Sequence, residues 1–177
     1  MKAKLNDWIN ATANLNKRRQ YNGHSDDNIH CESTVTAYKT HIEKCGYGSS
    51  VIDVGCGSQS LKRELPNGVK YYGLDAFPLQ GFDTIECAIE DLKGWKVDTC
   101  FAFAVLDNCR DFFEACDSMK RTAQRNIGIL TGIDIEVDEY HTFKLQLTDF
   151  EKAFSDWKCT YKEELQPKVW LLNYEKI

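Results

Sequence analysis

Val51-Ile52-Asp53-Val54-Gly55-Cys56-Gly57-Ser58 is the stretch on which the reading of this sequence turns. An apolar strand carrying one acid runs directly into Gly-x-Gly, and a helical pattern begins just afterwards. Glycine lets the chain turn tightly and brings backbone N–H groups close to a ligand with no Cβ in the way. At the carboxyl end of a parallel strand, such a bend is where open α/β sheets hold their ligands. Taken alone, Gly-x-Gly is equally an ordinary tight turn. The next strand adds a second acid. It ends Tyr72-Gly73-Leu74-Asp75, which puts a carboxylate twenty residues past Gly55 (75 − 55), where it can accept both hydroxyls of a ribose. Together the two features predict a nucleoside-binding site.

Upstream of the bend, Leu5, Trp8, Ile9, Ala13 and Leu15 fall on one side at helical spacing, which predicts an amphipathic helix over about 5–15. Residues 20–29 are polar and read as a loop. Residues 33–44 are helical again, until Gly46 and Gly48 end them. Downstream the pattern changes to short apolar runs bounded by Gly, Pro, Asn or Asp. Strands are predicted over 51–54, 69–74, 84–87, 99–104 and 127–130, with helices over 59–65 and 109–122. This alternation argues for a parallel α/β sheet. The tail breaks the rhythm: a helix over 147–154 precedes two strand-like runs, 157–163 and 169–174, separated by Gln166-Pro167 as in an antiparallel pair.

The bulk properties narrow the function classes. At 177 residues, with 42% hydrophobic and 28% charged, the chain reads as one globular domain with a proper core. A net charge of -5 works against a polyanion partner, and the densest basic run is only Lys17-Arg18-Arg19. Eight cysteines fall at irregular intervals behind no signal peptide, and no C-x-x-C pair exists, so neither a disulfide framework nor a zinc site is expected. The expectation is a reduced, cytoplasmic protein with no metal and no membrane span.

The kind of nucleoside follows from what is missing. Dinucleotide folds require Gly-x-Gly-x-x-Gly, whereas position 60 is Ser60. A carboxylate at Asp53 would repel a pyrophosphate but suits a ligand with an ammonium and a sulfonium group, which favours S-adenosylmethionine over NAD. Residues 51–58 resemble motif I of the class I S-adenosylmethionine-dependent methyltransferases, and Gly73-Leu74-Asp75 looks like their motif II acid. Residues 97–108, Val-Asp-Thr-Cys-Phe-Ala-Phe-Ala-Val-Leu-Asp-Asn, are similar to the family's Asp-led fourth strand, and the terminal pair resembles its sixth and seventh strands. The match covers roughly residues 49–177. It implies a three-layer Rossmann-like α/β fold, mostly parallel, with strand order 3-2-1-4-5-7-6, and leaves residues 1–48 as a helical cap or lid of the same domain.

Carried over by position, the resemblance implies that Asp53, Gly55, Cys56 and Gly57 line the methionine end of the cofactor and that Asp75 holds the ribose. Ala76, Ala88 and Ile89 would meet the adenine, and Ala102 and Phe103 would lie along the cofactor. The sequence departs from the family where Ala88 stands in place of an acid, with Glu90 and Asp91 read as solvated. It departs again where Asp107-Asn108 replaces Glu-His at the end of strand four. The spacers after strands two and three are short, which predicts trimmed helices. Methyl transfer from a sulfonium needs a base only when the acceptor must lose a proton early. The candidates are Asp107, Asn108 and His141, each of which is alternatively an ordinary capping or packing residue; Tyr21, His24 and His30 flank a loop that is either a lid or simply mobile. Lacking Pro-Pro-aromatic, Pro-Cys and any basic domain, the chain is expected to act as a monomer or homodimer on a small molecule rather than on nucleic acid. A binding-only protein, an aminopropyl transferase and an enzyme that cleaves S-adenosylmethionine are the alternatives.

Overall fold

The strand that ends in Gly-x-Gly occupies the middle of the sheet. In the computed structural model, which describes residues 1–21 and 34–177 and the side chains of 1–15 and 38–177, β1 (Ser50–Val54) pairs in parallel with β2 (Lys70–Asp75) and β4 (Val97–Phe103). β3 (Thr84–Glu86) adds to β2, and β5 (Ala123–Gly132) to β4, also in parallel. β7 (Val169–Lys176) joins β5 antiparallel, and β6 (Trp157–Gln166) closes the edge antiparallel to β7. The order is 3-2-1-4-5-7-6, as expected from the sequence.

The helices are α1 (Leu5–Tyr21), α2 (Thr34–Cys45), α3 (Ser60–Glu64), α4 (Phe112–Thr122) and α5 (Leu147–Ala153). Alternation along β4 shows how they layer. Phe101 and Phe103 pack into one cluster with Ile42 and Cys45 of α2 and Leu61 of α3. Cys100 and Ala102 point the other way, into a cluster with Phe112 and Met119 of α4 and Phe150 of α5. A strand buried on both faces has no polar alternation, which is why 99–104 reads as an unbroken apolar run. Each fully buried aromatic or aliphatic side chain here contributes roughly 1.5–3 kcal/mol.

Element ends differ from the sequence reading where polar residues sit in the ladder. β5 starts four residues earlier than expected, at Ala123, because Gln124 and Arg125 are exposed and carry no apolar signal although the strand is already pairing with β4. β6 and β7 likewise extend to Gln166 and Lys176, and the bend falls at Lys168, with φ 67°. α4 starts at Phe112 instead of 109, since the Asp111 side chain caps it and Leu106–Asn108 form a separate 3-10 turn. α1 runs on to Tyr21, so Lys17-Arg18-Arg19 belong to the helix. No α-helix follows β2 or β3; the β3–β4 connection has only the 3-10 turn Ile89–Asp91. His24, His30 and the side chain of Tyr21 lie outside the described residues.

Two buried polar side chains tie α2 to the sheet. Asn126 on β5 donates from Nδ2 to Cys45 O (3.1 Å) and Gly46 O (2.9 Å), and its Oδ1 accepts from Thr99 Oγ1 (2.7 Å). His41 lies edge-on to Phe103, is 7% exposed, and its Nδ1 has no partner among the described residues. Burial, helped by the nearby Lys44 cation, lowers its pKa from 6.5 to about 4. The unfolded chain therefore binds a proton at His41 across pH 4–6.5 that the folded chain refuses, so this contribution to stability is lost as pH falls through that window. The loss reaches about 3 kcal/mol. Urea titrations at pH 7 and pH 4.5 should show a His41→Leu variant retaining that much more of its neutral-pH stability than the parent.

Candidate functional site

The bend after β1 is tied into a fixed cradle. Gly55 has φ 70° and Gly57 φ 45°, a region that L side chains seldom enter. Gly55 N–H and Cys56 N–H both donate to Leu74 O, at 2.8 and 3.1 Å, so the bend leans on the end of β2. Gln59, itself at φ 56°, donates from Nε2 to Asp83 O (2.8 Å) and Thr84 Oγ1 (3.1 Å), anchoring the far side to the start of β3.

Asp75 closes β2 beside this cradle. Its Oδ2 accepts from Gly57 N–H (3.1 Å) and its Oδ1 from Phe77 N–H (2.9 Å). The carboxylate is thereby oriented by backbone on two sides, which an amide could match on only one, and each oxygen keeps a further lone pair for another donor. The arrangement suits a ligand that offers two adjacent hydroxyls.

The cleft in front of Asp75 holds about 600 Å³, counting its open mouth. Val54, Gly55 and Leu74 form its floor, and Ala76, Cys87, Ala88, Ile89 and Glu90 one wall. Ala104, Val105, Asn108 and Cys109, at and beyond the tip of β4, form the opposite wall. Trp8, Thr12 and Leu15 of α1 reach across the mouth. A mostly apolar slot with a few convergent polar groups is the form of a small-molecule site.

Of the residues expected from the sequence to touch a ligand, the cleft brings together Gly55, Asp75, Ala76, Ala88, Ile89 and Asn108. Others stand behind it. Asp53 is buried on the α2/α3 side of β1, where its Oδ2 accepts from Tyr71 OH (2.8 Å). Cys56 points toward β3, 3.7 Å from Thr84 Oγ1, and burial pushes its thiol up to about 12, so it supplies no thiolate. Gly57 contributes through its N–H to Asp75. Ala102 is fully buried in the core, and Phe103 is turned onto Tyr38 of α2, ring centroids 5.6 Å apart. The wall at the tip of β4 is made instead by the next two residues. Ala104 has φ 56°, and this twist sets Val105 against Gly55.

Glu90 corrects the reading of a solvated acid. It is buried, and its Oε1 accepts from Arg110 N–H (2.6 Å) and Asp111 N–H (2.9 Å), fixing the approach to α4; Asp91 pairs with Arg110 at the surface. Asp107 is also buried, and Asp107 Oδ1 and Asn108 Oδ1 have no partner among the described residues. His141 approaches Asp107 Oδ2 to 3.8 Å with its Nε2. His141 does not line the cleft; it opens to a groove on the other side of α1.

Of the apolar face predicted for the first helix, only Trp8 and Leu15 line the cleft, joined by Thr12, which the sequence reading did not single out; Leu5, Ile9 and Ala13 are exposed, so the buried face is rotated from the predicted one. Ala104 and Val105 carried no signal, since only the positive φ at Ala104 distinguishes them from strand residues. Among the described residues no group of His, Cys, Asp and Glu side chains is gathered as a metal ion needs, and no helix is long and apolar enough to cross a membrane.

No protein-family model and no curated protein sequence matches the chain. Solved structures do. Magnesium protoporphyrin IX methyltransferase from Synechocystis PCC 6803, with bound S-adenosylhomocysteine, superposes with a TM-score of 0.70 at 16% identity, covering 97% of each chain. This chain has the class I methyltransferase fold. A 1,6-didemethyltoxoflavin-N1-methyltransferase from Burkholderia thailandensis shares the same fold with a TM-score of 0.73 at 10% identity, over 98% of this chain and 91% of that one. So does the [4+2]-cyclase SpnF, with a TM-score of 0.69 at 11% identity over 82% of each chain. The methyltransferase fold thus carries more than one chemistry, and the site has to decide between them.

Proposed function

We propose that the chain transfers a methyl group from S-adenosylmethionine to an oxygen or nitrogen atom of a small-molecule acceptor. The observation that carries this reading is Asp75: a backbone-oriented carboxylate in the wall of the cleft, directly beside the glycine bend. The groups around it fit the cofactor. Asp75 receives the ribose hydroxyls, and Ala76, Ala88 and Ile89 offer a small apolar wall to the adenine. Asn108, whose amide oxygen lacks a partner among the described residues, adds an acceptor at the opposite wall. Asp53 acts from behind the bend, its charge favouring a cationic ligand over a pyrophosphate. The methionine end lies along Gly55 and Val105.

Bound there, the cofactor supplies a methyl group already activated by the sulfonium, and S-adenosylhomocysteine is the product. The protein's part is to orient the acceptor and exclude water. α1 does the latter, with residues 1–48 serving as the cap of a single domain whose remainder, 49–177, holds the cofactor. Asp107, Asn108 and His141 are the groups offered to the acceptor's proton. A cytoplasmic small molecule suits the acidic surface charge better than nucleic acid does.

The fold shared with a cyclase keeps a second reading in view, a cofactor-binding protein that does other chemistry. Product analysis separates the two. Incubation with S-adenosylmethionine and panels of phenols, carboxylic acids and amines should yield S-adenosylhomocysteine with at least one class. Methylthioadenosine instead, or cofactor bound and recovered intact, overturns methyl transfer.

A further inference from the structure

His141 is gripped between two carboxylates on different elements. Asp138, three residues earlier, accepts through Oδ1 from Tyr140 N–H (2.7 Å) and His141 N–H (2.8 Å), and the same oxygen lies 2.8 Å from His141 Nδ1. Burial opposes the charge, but these donors and the imidazole hold the Asp138 carboxyl below its usual range. An ionised carboxylate only accepts, so the ring proton belongs on Nδ1 and the Nε2 lone pair is left facing Asp107.

Asp107 makes that lone pair consequential. Its side chain is 4% exposed, Oδ1 has no partner among the described residues, and Oδ2 is 3.8 Å from Nε2, which a shift of under about 1 Å brings to hydrogen-bond distance. The loop is stapled to this point: Thr142 N–H and Phe143 N–H both donate to Asp107 O, at 2.9 and 3.0 Å, and Thr142 Oγ1 joins them at 2.9 Å. Asn108, the next residue, faces the cleft, whereas His141 lines the groove behind α1 together with Lys4, Asp7 and Glu139. A buried carboxylate one residue from the cleft-lining Asn108 thus stands beside an imidazole that opens to a groove on the other side of α1.

We propose that Asp107 and His141 carry the acceptor's proton from the buried end of β4 to the groove behind α1, with Asp138 the positioning residue that sets the imidazole tautomer. The proposal rests on the methyl-transfer reading. When the acceptor's X–H becomes X–CH3, the C–S electron pair stays on sulfur and the X–H pair returns to X. The released proton passes to the Asp107 carboxylate, from Oδ2 to His141 Nε2, and from the imidazolium to water in the groove. Burial raises the Asp107 carboxyl above the usual range, so it takes up a proton at a pH where a surface aspartate does not. Asp138 stabilises the imidazolium, while Lys4, Asp7 and Glu139 set the field at the outlet.

The test needs no acceptor. In protein labelled with 15N-histidine, with the His141 signals assigned from a His141→Gln variant, Nδ1 should carry the proton of the neutral ring. Asp138→Ala should lose that tautomer, and Asp138→Asn, which keeps an accepting oxygen, should restore it. Asp107→Asn should change the 15N chemical shift of His141 Nε2, the nitrogen that faces Asp107, and leave the proton on Nδ1. A proton on Nε2 in the parent, no change in Asp138→Ala, or an unchanged Nε2 signal in Asp107→Asn overturns the relay. Calorimetric titration with S-adenosylmethionine reports separately on the underlying reading. Normal cofactor binding with the wrong tautomer sinks the relay alone, whereas the right tautomer without cofactor binding sinks methyl transfer and leaves the relay nothing to serve.

Discussion

Replacing Asp75 with alanine is expected to reduce affinity for S-adenosylmethionine by at least about 100-fold, to the point where calorimetric titration detects no binding. Two hydroxyl-to-carboxylate hydrogen bonds are lost, each contributing roughly 1.5–3 kcal/mol because the acceptor is charged, and every 1.4 kcal/mol is about tenfold in affinity. The variant also releases Gly57 N–H and Phe77 N–H, so a slackened bend adds to the loss. Asp75→Asn separates the two contributions. It removes the charge while keeping one oxygen for one of the two backbone donors, so it should lose less stability than Asp75→Ala yet bind at least about tenfold more weakly than the parent. His141→Ala is the contrasting case, since the imidazole lies outside the cleft and its removal should lower turnover with cofactor affinity nearly unchanged. Parental affinity in Asp75→Ala would remove the carboxylate, and with it the nucleoside assignment, from the site.

The parts of this site that were legible in the sequence are those fixed by backbone. Gly55 and Gly57 are readable because glycine takes a tight bend at positive φ with least strain, and Asp75 because the length of a β-α-β unit sets its distance from that bend. Strand order followed from the resemblance to the methyltransferase family, not from these residues alone. Side-chain direction was not legible at the strand tips. Asp53 and Phe103 sit one pleat out of phase with the cleft, so they face α2 and α3, while the positive φ at Ala104 brings Val105 round to the ligand side. A two-residue period cannot foresee a twist that ends it. Glu90 was misread for a related reason. A charged residue beside a loop reads as solvated until tertiary structure supplies the N–H groups it accepts from, here those of Arg110 and Asp111 for Glu90. Asp138, by contrast, carried a local signal in its spacing, three residues ahead of His141, where an aspartate turns the chain back on itself.

Gly55→Ala tests the bend itself, and its effect should exceed that of an ordinary glycine substitution. At φ 70° an alanine incurs the left-handed penalty of roughly 1–2 kcal/mol. The greater cost is steric: a Cβ on Gly55 would stand 2.7 Å from Val105 Cβ and closer still to Cγ2. Neither side yields easily. Gly55 is pinned through its N–H to Leu74 O, and Val105 follows Ala104, whose own N–H donates to Leu130 O at 2.7 Å. Overpacking of this kind costs about 1–3 kcal/mol, so backbone strain and overlap together predict a loss of about 2–5 kcal/mol in chemical denaturation. Cofactor affinity should fall with it, because relieving the overlap moves the cradle or the opposite wall of the cleft. The double variant Gly55→Ala/Val105→Gly distinguishes the causes. Removing the valine side chain should recover the steric share of the stability and leave the backbone share behind. If the single variant is as stable as the parent and binds S-adenosylmethionine equally well, then the contact between Gly55 and Val105 does not shape the site, and the bend is an ordinary turn.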